Sequence, residues 1–191
     1  MKITPDLFQA YLKCPMKCWL RAAGEVPTGN TYAEWVKTRD ESYVANQAAR
    51  LVGESSNGEV AVSPELESLK SAKWQLATNI ALQGQVNSCA VECCLHAVER
   101  IPSEGRGKAA QFIPVRFIFR NKLTKDDKLL LAFDAFLLGQ TLGREIALGK
   151  IIYGDDHATL KVRPRRWPAK YGGTLKKSHR SFPAARRPAS F

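Results

Sequence analysis

Hydrophobic and polar positions divide this chain into a helical opening, a strand-rich middle and a closing tail without period. Leu7, Phe8, Tyr11 and Leu12 recur at helical spacing behind Thr4, Pro5 and Asp6, a cap, a first-turn proline and a dipole-compensating acid. That spacing predicts a helix over about 5–13, and Pro15 restarts the chain into a second helix to Ala22. A loop over 24–29 holding Pro27 follows. Asn30 or Thr31 then opens a long helix to about Val52, with Tyr32, Trp35, Val36, Tyr43, Val44, Ala48 and Leu51 as its expected buried side.

Further on, 59–63 alternates as a strand does, 64–72 reads as a short helix, and 74–82 and 88–101 are compatible with strands. The stretch 111–120, with Phe112, Val115, Phe117, Ile118 and Phe119, is the clearest strand. A loop from Pro102 to Gly107 precedes it. After a loop in which Thr124 can cap, 128–142 is apolar almost all round and is expected to be the most buried helix; 149–154 and 158–162 close as strands. Helices first, strands in the middle and a helix crossing between strands predict an α/β fold, a mixed central sheet flanked by helices.

Composition narrows the class. At 191 residues and 45% hydrophobic, the chain supports one domain with a sizeable core. Neither a membrane-length apolar run nor a signal-peptide order is present, so a soluble cytoplasmic protein without a membrane partner is expected. The five cysteines, Cys14, Cys18, Cys89, Cys93 and Cys94, are odd in number and irregularly spaced, which fits reduced, mainly buried thiols.

The net charge of +11 belongs to one end. Residues 1–160 hold 19 Lys and Arg against 18 Asp and Glu, whereas 161–191 hold ten Lys and Arg and no acid. The expected division is therefore a domain over 1–162 and a basic, disordered tail over 163–191. The tail is either an arm on phosphates, with Trp167, Tyr171 and His179 able to stack on bases, or, as the abrupt loss of acids favours, the product of a shifted reading frame.

Three segments, FQAYLKCPMKCWLRAAGE, LHAVERIPSEGRGKAAQFIPVRF and KDDKLLLAFDAFLLGQTLGREIALGKIIYGD, occur in one order over about 4–162. Together they resemble the RecB-type nucleases of the PD-(D/E)XK superfamily, among them CRISPR-associated exonucleases. The resemblance implies DNA rather than RNA as partner. It also implies one or two Mg²⁺ or Mn²⁺ ions held by an acid on one strand and a Glu-x-Lys pair on the next, where the ions activate water.

This chain departs from that pattern. His96 stands where the first acid belongs, Arg116 and Ile118 replace the Glu and the Lys, and Leu130 and Asp134 fall where a Gln and a Tyr belong. An Arg in place of a metal ligand opposes a cation with roughly 4 kcal/mol per unit charge at about 4 Å and an effective dielectric near 20. No metal site is therefore assigned. Residual catalysis, with Mg²⁺ or Mn²⁺, would centre on His96 and on Glu41 of the long helix. No iron–sulfur cluster is expected either, since Cys14 matches the family's first cluster cysteine and no cysteine after Cys94 supplies the rest.

Two functions remain: a catalytically impaired or inactive nuclease-type domain acting on DNA, and a non-catalytic module that binds nucleic acid or serves as a scaffold. In the second, Arg116 contacts phosphate, with Lys122 and Lys125 as further cations. The sequence names no protein partner.

Overall fold

Polar caps fix where the helices begin. In the computed structural model, which describes residues 2–25, 29–55, 59–65, 69, 73–86, 89–103 and 110–164, a short strand β1 (Lys2–Ile3) leads into α1 (Pro5–Lys13) and α2 (Pro15–Ala22). The Thr4 hydroxyl accepts from the Leu7 amide at 3.2 Å at the start of α1. Asn30 Oδ1 accepts from the Tyr32 and Ala33 amides at the start of α3 (Thr31–Glu54). The expected tail over 163–191, the expected helix over 64–72 and the loop around 104–107 lie wholly or mostly outside the described residues.

Among the described residues seven strands form one mixed sheet, as expected for an α/β fold with flanking helices. β2 (Val60–Val62) runs parallel to β3 (Leu76–Val86), which forms a long antiparallel hairpin with β4 (Cys89–Ile101). β5 (Gln111–Ile118) is antiparallel to β4 and parallel to β6 (Gly149–Tyr153), with α4 (Lys125–Leu142) crossing between them. β7 (Ala158–Val162) closes the edge antiparallel to β6, and β1 pairs with β4 in parallel. β3 begins and ends later than the expected 74–82, because Trp74 packs as an edge against Phe112 while Gln83 to Val86 continue the ladder opposite Glu92 to Cys89.

The two faces bury different helices. On one, α4 sets Leu130, Phe133, Leu137 and Leu138 against Ile80, Leu82, Val91 and Leu95, and Phe8 of α1 stacks on Phe133 at 5.4 Å. On the other, Tyr43, Val44, Ala48 and Leu51 of α3 pack on Val115, Phe117 and Ile152. β6 runs so close beneath α4 that a Cβ on Gly149 would stand 2.9 Å from Leu131 Cδ2, which keeps that position a glycine. Tyr43 donates to the Gly154 carbonyl at 2.9 Å, and Gln47 is bonded to His157 at 2.8 Å, so α3 is also tied to the β6–β7 turn.

The early part of α3 departs from expectation. Tyr32 and Trp35, expected on its buried side, are 71% and 53% exposed. A 24-residue helix is about 36 Å long, and its contacts with the core begin at Tyr43. Among the described residues, no helix is long and apolar enough to cross a membrane.

Candidate functional site

The sheet forks between β4 and β5. The two strands are paired from Ile101 opposite Gln111 as far as Ala97 opposite Val115, after which β5 continues on β6 alone. The vacated edge of β4 is taken up by β1, with Lys2 opposite Ala90 and Ile3 opposite Val91. At the branch point the regular alternation slips. The core cluster that includes α4 takes Ala77 and then Ile80 from β3, and Leu95 and then Val98 from β4, a step of three in each strand. Asn79 absorbs the slip on β3 with a left-handed backbone (φ 54°), which Asn tolerates better than most residues; His96 absorbs it on β4.

His96 bridges the fork. Its Nδ1 accepts the Phe117 amide at 3.0 Å, the ladder bond that a continued β4–β5 pairing would have supplied, and its ring lies 5.5 Å from that of Phe117. This bond assigns the proton to Nε2. Burial, reinforced by the positive charge of Arg116, lowers the His96 pKa to about 3, so the ring is neutral at ordinary pH. Such a histidine is a strand connector, and its Nδ1 is not available to a metal.

Across the fork Arg116 leaves β5 toward α4. Its Nε and Nη2 donate to Asp134 Oδ2 and Oδ1, both at 2.7 Å, in a bidentate pair with both residues buried. Desolvation works against the Arg116 charge, but Asp134, with smaller help from Cys93 and Asp40, raises its pKa on balance. Burial raises the Asp134 carboxyl against the pull of Arg116. The guanidinium expected to meet phosphate is thus committed inside the protein. Ile118, two residues on, is a core residue packed with Leu131 and Ile151.

The remaining expected residues lie outside the fork. Glu41 is 66% exposed and faces Lys37 at 3.7 Å along the helix. The α3 acid turned toward the fork is its neighbour Asp40, whose pKa is raised by burial and pulled back by Arg116 and Arg120. Sequence reasoning passed over Asp40, although stepping back from Tyr43, Val44 and Gln47 by three, four and seven residues reaches it. Lys122 is exposed on the connection from β5 to α4, and Lys125 and Lys128 are exposed in the first turn of α4. Of the cysteines, Cys18 and Cys93 are buried, but Cys14 and Cys94 are exposed, contrary to a mainly buried set. Burial, then the Asp134 charge, raises the pKa of Cys93 well above the ordinary thiol value, so this thiol is not a nucleophile.

One acid organises the lip. Asp127 Oδ2 accepts from the Thr124 amide and hydroxyl, both at 2.7 Å, and Oδ1 accepts from Arg120 at 2.6 Å. The capping box and the ion pair share a buried carboxylate, so Asp127→Ala is expected to cost about 2 kcal/mol. Urea denaturation checks this, and a loss under about 0.5 kcal/mol would show the lip to be held by other contacts.

Among the described residues, no group of three or more His, Cys, Asp or Glu side chains could hold a metal ion. What the fold and site define is a mixed α/β protein whose sheet forks around a buried Arg–Asp pair. No family model and no curated protein matches the chain. Among solved structures it is similar to one described as "Crystal structure of SSO0001", at 12% identity and a TM-score of 0.49, over 96% of this chain and 77% of that chain.

Proposed function

We propose that this protein is a non-hydrolytic, nuclease-like module that binds DNA through the rim of the fork and acts in the cytoplasm. The observation that carries the reading is the Arg116–Asp134 pair. A guanidinium fills the place where the resemblance to a RecB-type site calls for a metal-binding carboxylate, and it takes both oxygens of the carboxylate beside it, Asp134, which leaves neither to hold the cation such chemistry uses. The resemblance of three segments supports DNA as the polymer, and the exposed Lys122, Lys125 and Lys128 beside the fork supply phosphate contacts. Arg116 itself is better read as internal to the site than as a phosphate contact. Free cysteines support a reducing compartment.

The test is fluorescence anisotropy with labelled single-stranded and duplex DNA across a salt series, with Mg²⁺ and Mn²⁺ cleavage followed on gels. Binding is expected to fall steeply with salt, Lys122→Ala/Lys125→Ala to flatten the log–log slope by roughly 2, and the DNA to stay intact. Cleavage abolished by His96→Ala would overturn the non-hydrolytic reading, and a lack of binding to either DNA would overturn the module itself.

A further inference from the structure

The exposed end of α3 carries a feature that the fork does not use. Tyr32, Trp35 and Arg39 stand at i, i+3 and i+7, one face of the helix. The two rings are stacked, 6.0 Å between centroids and 23° from parallel, and the Arg39 guanidinium lies 5.5 Å over the Trp35 ring. Among the described residues Arg39 has no carboxylate within ion-pair distance. Trp35 lies five residues before Asp40, about 7.5 Å along the helix axis from the acid that faces the fork.

We infer that this π–π–cation stack is a base-stacking platform for single-stranded nucleic acid, a second contact region of the module proposed above, on whose reading it rests. Three observations select this occupant. The stack is exposed at both rings, Tyr32 more than Trp35, and every base offers a face that can extend such a stack whatever the sequence. The Arg39 guanidinium, held over the Trp35 ring and without a carboxylate partner among the described residues, complements a phosphate. The apolar surface around the rings is narrow, because neighbouring Thr31, Glu34, Thr38 and Ser42 are polar and exposed and the same turns of α3 add to it just the small Ala33 and the half-buried Val36; a protein or lipid surface calls for a broader apolar patch.

The experiment uses the full chain and labelled oligothymidylate at low salt, with duplex of equal length as competitor. Trp35→Ala is expected to weaken single-strand binding about tenfold, Tyr32→Ala and Arg39→Ala less, and Trp35→Phe to restore most of the loss, with circular dichroism unchanged throughout. Duplex affinity is expected to move little in the same variants. Wild-type binding that Lys122→Ala/Lys125→Ala weakens and Trp35→Ala leaves intact would overturn the platform while sparing the DNA-binding module. No binding by wild type to either polymer would overturn both. Self-association lost in Trp35→Ala by sedimentation, with single-strand affinity unchanged, would assign the face to a second copy of the chain instead.

Discussion

Arg116→Ala is expected to destabilise the protein by about 3–5 kcal/mol, the cost of leaving one charge of a buried pair without its partner. Asp134 lies at the centre of α4 between core residues, and among the described residues its side chain accepts two 2.7 Å bonds, both from Arg116. For a domain of this size, in which each kcal/mol moves Tm by roughly 2–4 °C, the melting point should fall by roughly 10 °C. The double replacement Arg116→Met/Asp134→Leu removes both charges and keeps the volume apolar, so it should recover most of that loss. Differential scanning calorimetry of wild type, single and double variants decides. A double variant as unstable as Arg116→Ala would mean that the pair supports the fork through contacts other than each other.

The second large effect is on pH. The His96 pKa is about 3 in the folded protein, lowered first by burial and then by Arg116, against roughly 6.5 in the unfolded chain. Between those values the unfolded state binds the extra proton, so stability is full above about pH 6.5 and falls as pH drops, by up to ~1.4 kcal/mol per unit. From pH 7 to pH 5 this amounts to about 2 kcal/mol. His96→Gln keeps an oxygen that can accept from the Phe117 amide but does not titrate, so its stability should lack this loss. Asp40 and Asp134, whose pKa values are raised by burial, contribute with the opposite sign at lower pH, and the wild-type-minus-variant difference largely cancels them. Equal pH slopes in urea denaturation of the two proteins would show that His96 is not held neutral by the fold.

Local rules made much of the architecture readable. Thr4 with Pro5, Asn30 and Thr124 each mark a helix start through a side chain that satisfies free amides, and the apolar sequence of α4 announces a helix buried on most of its surface. The long helix was misread where its length outran the sheet. Periodicity carries the apolar stripe back to Trp35 and Tyr32, but it holds no information about where the surface beneath it stops. The same stripe, followed strictly, separates Asp40 from Glu41.

The site was harder to read, because its key relation joins residues far apart in the chain. Arg116 and Asp134 are 18 residues apart on different elements, and only the crossing of α4 over β5 sets one beneath the other. Aligned one at a time against a nuclease pattern, they look like two losses. In space they are one unit, a guanidinium and a carboxylate that neutralise each other. His96 was visible as an odd residue in place of an acid, but its bond to the Phe117 amide depends on strands that part at that point.

The central claim, that the fork is closed to metal chemistry by its own ion pair, is tested most directly by titrating the wild-type chain with Mn²⁺ and following free ion by electron paramagnetic resonance. The account predicts no saturable site in the wild type beyond weak, salt-sensitive association. A stoichiometric site, abolished by Asp134→Asn or by His96→Gln, would contradict it.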